Sequence, residues 1–429
     1  MREQTFIAVG GPSGTGKTEL INVLVQRYPA LYQRPVSFTT RAARAGESNA
    51  EYEFVSRKEM ARLAENDLLA NTDDVYGNLY GISRKSIDDL AAHTVWPIKE
   101  IHPSRFENLR ASYPDLITVI ILPAKDHRMT VLDRSERAEL DNEYYKELDL
   151  SQFDIVRRSF KEETVNELAD SVHRHLYALA SFDTNFPRPP IIDTLNRTGY
   201  SLIAAEFTEN LRPTTANFHE LSRSFLRKLL SSPRTLGDRY LEVGPGQGWL
   251  RSEFNLKNVN YHAVEIADGM RERFKDTNGA RVQNGSARHL DFTSNYFDAV
   301  IASLGDPFCY PTALCEIQRV LKPGGQFILT APAKGWTEAV RPEHEQQKTS
   351  FRLSDGSLAQ VYSFTFDIDE LESLLEVCGL KVQEKEVARL LDLPRNAVVS
   401  PVLIEASSKL GKDNIPVLNM ICAFKERQQ

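Results

Sequence analysis

Gly11-Pro12-Ser13-Gly14-Thr15-Gly16-Lys17-Thr18 decides how the first half of the chain folds. A short apolar run, Phe6-Ile7-Ala8-Val9, leads into it, and Glu19-Leu20-Ile21-Asn22-Val23-Leu24-Val25 follows. That order is strand, glycine-rich loop, helix. The spacing, Gly, four residues, Gly-Lys-Ser/Thr, is that of a phosphate-binding P-loop. Each part has a task. Glycines let consecutive N–H groups curl around a phosphate, and the helix N-terminus adds its positive end. Lys17 is a mobile cation for the β- and γ-phosphates. The Thr18 hydroxyl is a Mg²⁺ ligand. The loop names a phosphate donor and leaves the acceptor open.

The chain has 429 residues, 41% of them hydrophobic, enough for two or three cored domains of about 100–200 residues each. A formal net charge of -7 argues against a broad polyanion-binding surface, so nucleic acid is not an expected partner. Cys309, Cys315, Cys378 and Cys422 show neither zinc nor redox spacing. They read as free thiols in a reducing compartment, the cytoplasm. The longest apolar runs, such as Leu116-Ile117 and Val119 to Leu122, are strand-length, so neither a signal peptide nor a membrane span is expected. The oligomeric state is left open.

Beyond the first helix come Val36-Ser37-Phe38-Thr39-Thr40-Arg41-Ala42-Ala43-Arg44, Gly46-Glu47, Tyr52-Glu53-Phe54-Val55-Ser56-Arg57 and Gly77-Asn78-Leu79-Tyr80-Gly81. Arg41 and Arg44, three apart in a loop, can form a guanidinium fork for a phosphate dianion. In this order behind a P-loop, these segments resemble the guanylate kinase family from about Met1 to Ala180. Phe153-Asp154-Ile155-Val156 and a helix over Glu162 to Leu179 are similar to its last strand and helix. The resemblance implies an α/β domain of the nucleoside-monophosphate-kinase type, built on a parallel sheet, using ATP and Mg²⁺. It puts Gly11, Ser13, Gly14, Thr15, Gly16, Lys17 and Thr18 around the donor phosphates. Ser37, Arg41, Arg44, Tyr52 and Tyr80 would hold a phosphomonoester acceptor. Lys17 would be catalytic, joined by lid arginines drawn from Arg128, Arg134 and Arg137.

The family reads guanine with acidic side chains. By register, one such position is Asn71 or a neighbour in Ala70-Asn71-Thr72-Asp73-Asp74. The second acid belongs to an Asp-x-Asp segment, and that region reads Thr94-Val95-Trp96-Pro97-Ile98-Lys99-Glu100. Asp73, Asp74 or Glu100 substitutes only by shifting register. A near relative phosphorylates ribose 1,5-bisphosphate and lacks these acids. The expected acceptor is therefore a small phosphomonoester, either nucleotide-like or a phosphosugar.

Pro187, Pro189 and Pro190 favour an extended connector. The expected division is a kinase-like domain over 1–183, a linker over 184–199 and a second domain over 200–429, with Tyr200 to Leu230 helical. A second glycine-rich turn follows in Leu241-Glu242-Val243-Gly244-Pro245-Gly246-Gln247-Gly248. Glu265 ends the next strand, Tyr261 to Ile266, where a carboxylate suits a ribose diol. Phe297-Asp298-Ala299-Val300 and Arg319-Val320-Leu321-Lys322-Pro323-Gly324-Gly325 come later. Together these resemble class I methyltransferases, Rossmann-like domains that use S-adenosylmethionine. The resemblance implies cofactor contacts from Glu242, Gly244, Gly246, Gly248, Glu265, Ile266, Ser286 and Ala287. Family members often carry aspartate where Ser286 stands. Asp306, Tyr310 and His344 follow strand ends on the acceptor side, and Lys348 to Phe366 reads as a hairpin across Asp355-Gly356 that covers the pocket.

The combination reads as a bifunctional enzyme: a kinase of a small phosphomonoester and a methyltransferase of the same or a related metabolite. The competing class is a kinase-like binding module without catalysis, against which the complete Gly16-Lys17-Thr18 argues.

Overall fold

The structure is a computed structural model that describes residues 5–43, 51–75, 77–123, 144–160, 163–181, 186–207, 212–230, 237–254, 256, 260–274 and 282–427. Arg44, Arg128, Arg134 and Arg137 lie outside them. The chain divides into two compact units, 1–173 and 174–429. Among the described residues no helix is long and apolar enough to cross a membrane.

The first unit holds a five-stranded parallel sheet in the order Tyr32–Gln33, Trp96–Glu100, Ile7–Gly10, Ile117–Pro123, Ile155–Ser159. Ile7–Gly10 and Ile117–Leu122 are buried throughout, as strands covered on both faces must be. The first strand lies between two others that come later in the chain, so its C-terminal end opens at a switch point, and the glycine loop occupies that end. A smaller sheet runs Tyr52–Phe54, Ser37–Thr39, Asn78–Ser83, Leu69–Val75. Phe38 and Leu79 turn one of its faces to Met60, Leu63 and Leu69. The strand period of two then puts Ser37 and Thr39 on the other face with their register partners Tyr52, Ile82 and Tyr80.

The second unit is built on a seven-stranded sheet. Its order is Val282–Asn284, Asn260–Glu265, Arg239–Val243, Phe297–Ala302, Leu321–Pro332, Pro416–Lys425, Leu380–Arg389. The first five strands are parallel, and Pro416–Lys425 is antiparallel to both of its neighbours. Alternation along Arg239–Val243 sends Leu241 and Val243 into one apolar cluster and Tyr240 into the other, so the sheet is cored on both faces. Each fully buried Leu, Ile or Val contributes about 1.5–3 kcal/mol. Arg239–Val243 is this sheet's switch point, with the second glycine turn at its end.

Residues 189–199 differ from the extended connector expected over 184–199. Pro189–Ile203 is a helix with prolines in its first turn. There a proline loses no hydrogen bond, because the first N–H groups of a helix have no intrahelical partner, and its fixed φ suits the turn. The helical reading of Tyr200 to Leu230 is interrupted between Ile203 and a second helix, Pro213–Leu230. The hairpin Lys348–Arg352 and Leu358–Tyr362 forms, with Gly356 at φ 86° in its turn. Gly199 lets the Pro189–Ile203 helix lie directly on it, since a Cβ there would sit 2.2 Å from the Gln360 carbonyl oxygen.

Candidate active sites

In the first unit Gly11 has φ 146°, and a Cβ would stand 2.1 Å from the Ile121 carbonyl oxygen, so only glycine lets the loop leave the sheet here. Thr15 Oγ1 donates to the Pro12 carbonyl at 2.9 Å, bracing the loop from inside. Ser13, Gly14 and Thr18 are exposed along it. Lys17 Nζ folds back to the Pro12 carbonyl at 2.7 Å and stands 3.3 Å from Glu100 Oε1. Thr18 Oγ1 donates to Glu100 Oε2 at 2.9 Å. Glu100 ends the neighbouring strand, and parallel pairing with Ile7–Gly10 delivers it to the loop. Sequence reading offered Glu100 only as a stand-in base reader. The signal for its place here is strand pairing, which the local motif does not contain.

The polar face of the small sheet gathers the acceptor-side residues. Tyr52 and Tyr80 meet edge to face at 6.3 Å. The Arg41 guanidinium lies 5.2 Å from the Tyr52 ring centre and 5.2 Å from that of Phe54. Burial pushes the Tyr52 hydroxyl above its ordinary pKa. Ser37 is 2% exposed, and its hydroxyl has no hydrogen-bond partner. Lys99, which sequence reading did not single out, brings Nζ 4.6 Å from the Tyr52 ring centre. Burial, and then the Arg34 guanidinium, push its ammonium down to about 8. The three candidate substitute acids have partners of their own. Asp73 pairs with Arg105 at 2.7 Å, Asp74 accepts from Gly77 N at 2.8 Å, and Glu100 is at the glycine loop.

In the second unit a cavity of about 1110 Å³ opens at the switch point. Glu242, Gly244, Gly246, Glu265, Ile266, Ser286 and Ala287 all line it. Gly248 is not on its wall. Its N–H instead donates to the Pro245 carbonyl at 2.9 Å, closing the turn before the helix Trp249–Phe254. Glu265 accepts from Gly246 N at 3.2 Å and Ala267 N at 2.9 Å, so one carboxylate ties the glycine turn to the strand end opposite. Burial raises its pKa despite those bonds. Burial also pushes Glu242 up to about 7, against the pull of a hydrogen bond from the Tyr261 hydroxyl.

Asp193, from the helix found where a linker was expected, reaches the position at which Ser286 departs from family habit. Its Oδ1 accepts from Ser286 Oγ at 2.9 Å and its Oδ2 from Arg288 Nε at 2.7 Å. No sequence signal joins residues so far apart. Tyr310 joins this group, its hydroxyl donating to Asp193 Oδ1 at 3.4 Å, and Asp306 also lines the cavity, whereas His344 is exposed and off its wall. Burial pushes Asp306 up to about 6. Ser363 hydrogen-bonds it, and Tyr200 and Arg341, both unforeseen, are further polar and charged groups that act on it. Lys348 to Arg352, the first hairpin strand, also lines the cavity.

The Guanylate kinase family profile matches residues 3–178, and a Methyltransferase domain profile matches residues 241–329. A guanylate kinase of Shewanella sp. (strain MR-7) is 34% identical over 173 residues, covering 37% of this chain and 82% of the relative. Among solved structures, guanylate kinase from Anaplasma phagocytophilum is 24% identical with a TM-score of 0.32, covering 42% of this chain and 87% of that one. The 1,6-didemethyltoxoflavin-N1-methyltransferase of Burkholderia thailandensis is 16% identical with a TM-score of 0.36, covering 57% of this chain and 94% of that one. The sequence matches decide the assignment: the chain belongs to the guanylate kinase family through its first unit, and it carries a methyltransferase domain in its second, making it a kinase and a methyltransferase in one polypeptide.

Proposed function

We propose that the first unit transfers a phosphoryl group from ATP to a small phosphomonoester, and that the second methylates the same metabolite or one close to it from S-adenosylmethionine. The observation that carries the kinase half is the Lys17–Thr18–Glu100 cluster at an intact glycine loop. The residues present suit Mg²⁺ and ATP: a hydroxyl and a carboxylate stand side by side for the cation, with loop N–H groups for phosphates. ATP supplies the phosphoryl group when bound. Lys17 exchanges the Pro12 carbonyl and Glu100 for the developing phosphate charge, which costs little because its partners are a loop carbonyl and an exposed acid. Arg41, Tyr52 and Tyr80 hold the acceptor's phosphate, with Arg44 completing the guanidinium fork. Arg128, Arg134 and Arg137 remain the candidates for cations over the transferring group.

S-adenosylmethionine supplies an electrophilic methyl group when bound. The glycine turn lets backbone approach it, Glu265 accepts from its ribose hydroxyls, and Asp193 beside Ser286 supplies a carboxylate for the adenine edge. Glu242 lies toward its amino-acid moiety. Asp306, Tyr200 and Arg341 orient the methyl acceptor, and the hairpin keeps water out, since alignment carries much of a methyl transfer. The acidic net charge supports a small-molecule substrate over a nucleic acid, and a cytoplasmic setting suits four buried thiols.

The test is mass spectrometry of nucleoside monophosphates and phosphosugars incubated with the full chain, ATP, Mg²⁺ and S-adenosylmethionine. A gain of one phosphoryl group and of one methyl group is expected. Nucleotide binding without transfer to any acceptor would favour a binding module instead.

A further inference from the structure

Lys99 is only 6% exposed, and its Nζ makes no hydrogen bond. A buried ammonium without a partner is costly, and proteins ordinarily pair it. Among the described residues, the two carboxylates that act on it, Glu51 and Glu100, are paired elsewhere. Glu51 pairs with Arg34 at 3.3 Å, while Glu100 is taken by Lys17 and Thr18. Arg34 adds a like charge, which makes the site worse for a cation rather than better. What Nζ does face is the Tyr52 ring, and Tyr52 is in register with Ser37, whose buried hydroxyl is also unpaired. Two unsatisfied donors therefore converge on one aromatic platform, deeper than the half-buried Arg41 and Tyr80.

Resting on the acceptor-site reading above, we infer that Lys99 and Ser37 read the end of the acceptor remote from its phosphate, and that this end carries hydrogen-bond acceptors, a carbonyl or an anionic oxygen, where guanine would present N–H donors. A ligand oxygen there gives Nζ its missing partner in a water-poor site, where a charge-assisted hydrogen bond is strong. A ligand offering N–H groups instead leaves the Lys99 ammonium unpaired, because an ammonium has no acceptor, and a stranded buried polar group is a strong form of discrimination. The oxygen has two possible sources, a base carbonyl or a second phosphate.

Calorimetric titration of the full chain with xanthosine monophosphate, GMP and ribose 1,5-bisphosphate tests the inference. Xanthosine monophosphate carries a carbonyl where guanine has its amino group. It or the bisphosphate is expected to bind about tenfold or more tighter than GMP. Whichever of the two binds tighter identifies the source of the oxygen. Lys99→Met should erase the preference over GMP, and Lys99→Asp should reverse it toward GMP. GMP binding as tightly as the others overturns the inference alone, as does a Lys99→Met variant that weakens all three equally, since Lys99 would then be a phosphate contact. A chain that binds none of the three overturns the inference together with the acceptor site.

Discussion

Lys99 has a consequence for stability as well as for recognition. Its folded pKa of about 8 lies below the ordinary 10.5, so its neutral form is the one the fold favours. The stability it contributes is fully present above 10.5 and is lost as pH falls through about 8. At pH 7 Lys99→Met should therefore stabilise the first unit by on the order of 1–3 kcal/mol, and the gain should shrink toward pH 10. Denaturant unfolding at the two pH values measures it. Glu242 runs the opposite way. Its carboxyl is raised to about 7, so the unfolded chain ionises first. Its contribution is complete below about 4.5 and is lost as pH rises through 7. Glu242→Gln keeps an acceptor for Tyr261 and should flatten the fall in melting temperature between about pH 5 and 7. The residues legible in the sequence, Lys17, Thr18 and Glu265, belong to motifs contained in one short segment. Glu100, Lys99 and Asp193 were not legible in these places, because parallel pairing and helix docking bring them in from remote segments.

At the scale of elements, the Pro189–Ile203 helix and the hairpin act as one piece. Asn196 Oδ1 accepts from Tyr362 N at 2.7 Å, three residues before the backbone approach at Gly199. Gly199→Ala cannot be absorbed by a rotamer change, because the clash is with a carbonyl. It should cost about 1–3 kcal/mol and weaken S-adenosylmethionine binding, since the same helix carries Asp193. Thermal melts and calorimetry of the variant check both effects, and unchanged affinity would detach the helix from the cavity's function. The hairpin itself was legible from Asp355-Gly356, a turn signal between alternating runs. The helix was not, because three prolines suggest a connector wherever the turn that tolerates them is not recognised.

For the whole molecule, the sites belong to separate units with separate switch points. Lys17→Ala should lower phosphoryl transfer by about a hundredfold or more and leave methyl transfer unchanged. Gly246→Arg should do the converse, because it replaces a residue of positive φ on the wall of the methyltransferase cavity. Parallel radiolabel assays of the two activities decide this. A joint loss in a folded Lys17→Ala variant would mean that the activities are linked. Both domain types were legible because each rests on several short motifs in order. The acceptors were not, since they depend on what faces a cavity.

The four cysteines have a use as reporters. All are buried, and all lie between residues 309 and 422, so the first unit contributes no thiol. A thiol reagent applied briefly to the intact protein therefore modifies only molecules whose second unit has opened, and it does so without separating the halves. The labelling rate is a clock for one half against a silent background. A ligand that slows it binds the second unit. A ligand of the first unit that slows it too reveals communication between the halves, with no need to know either reaction.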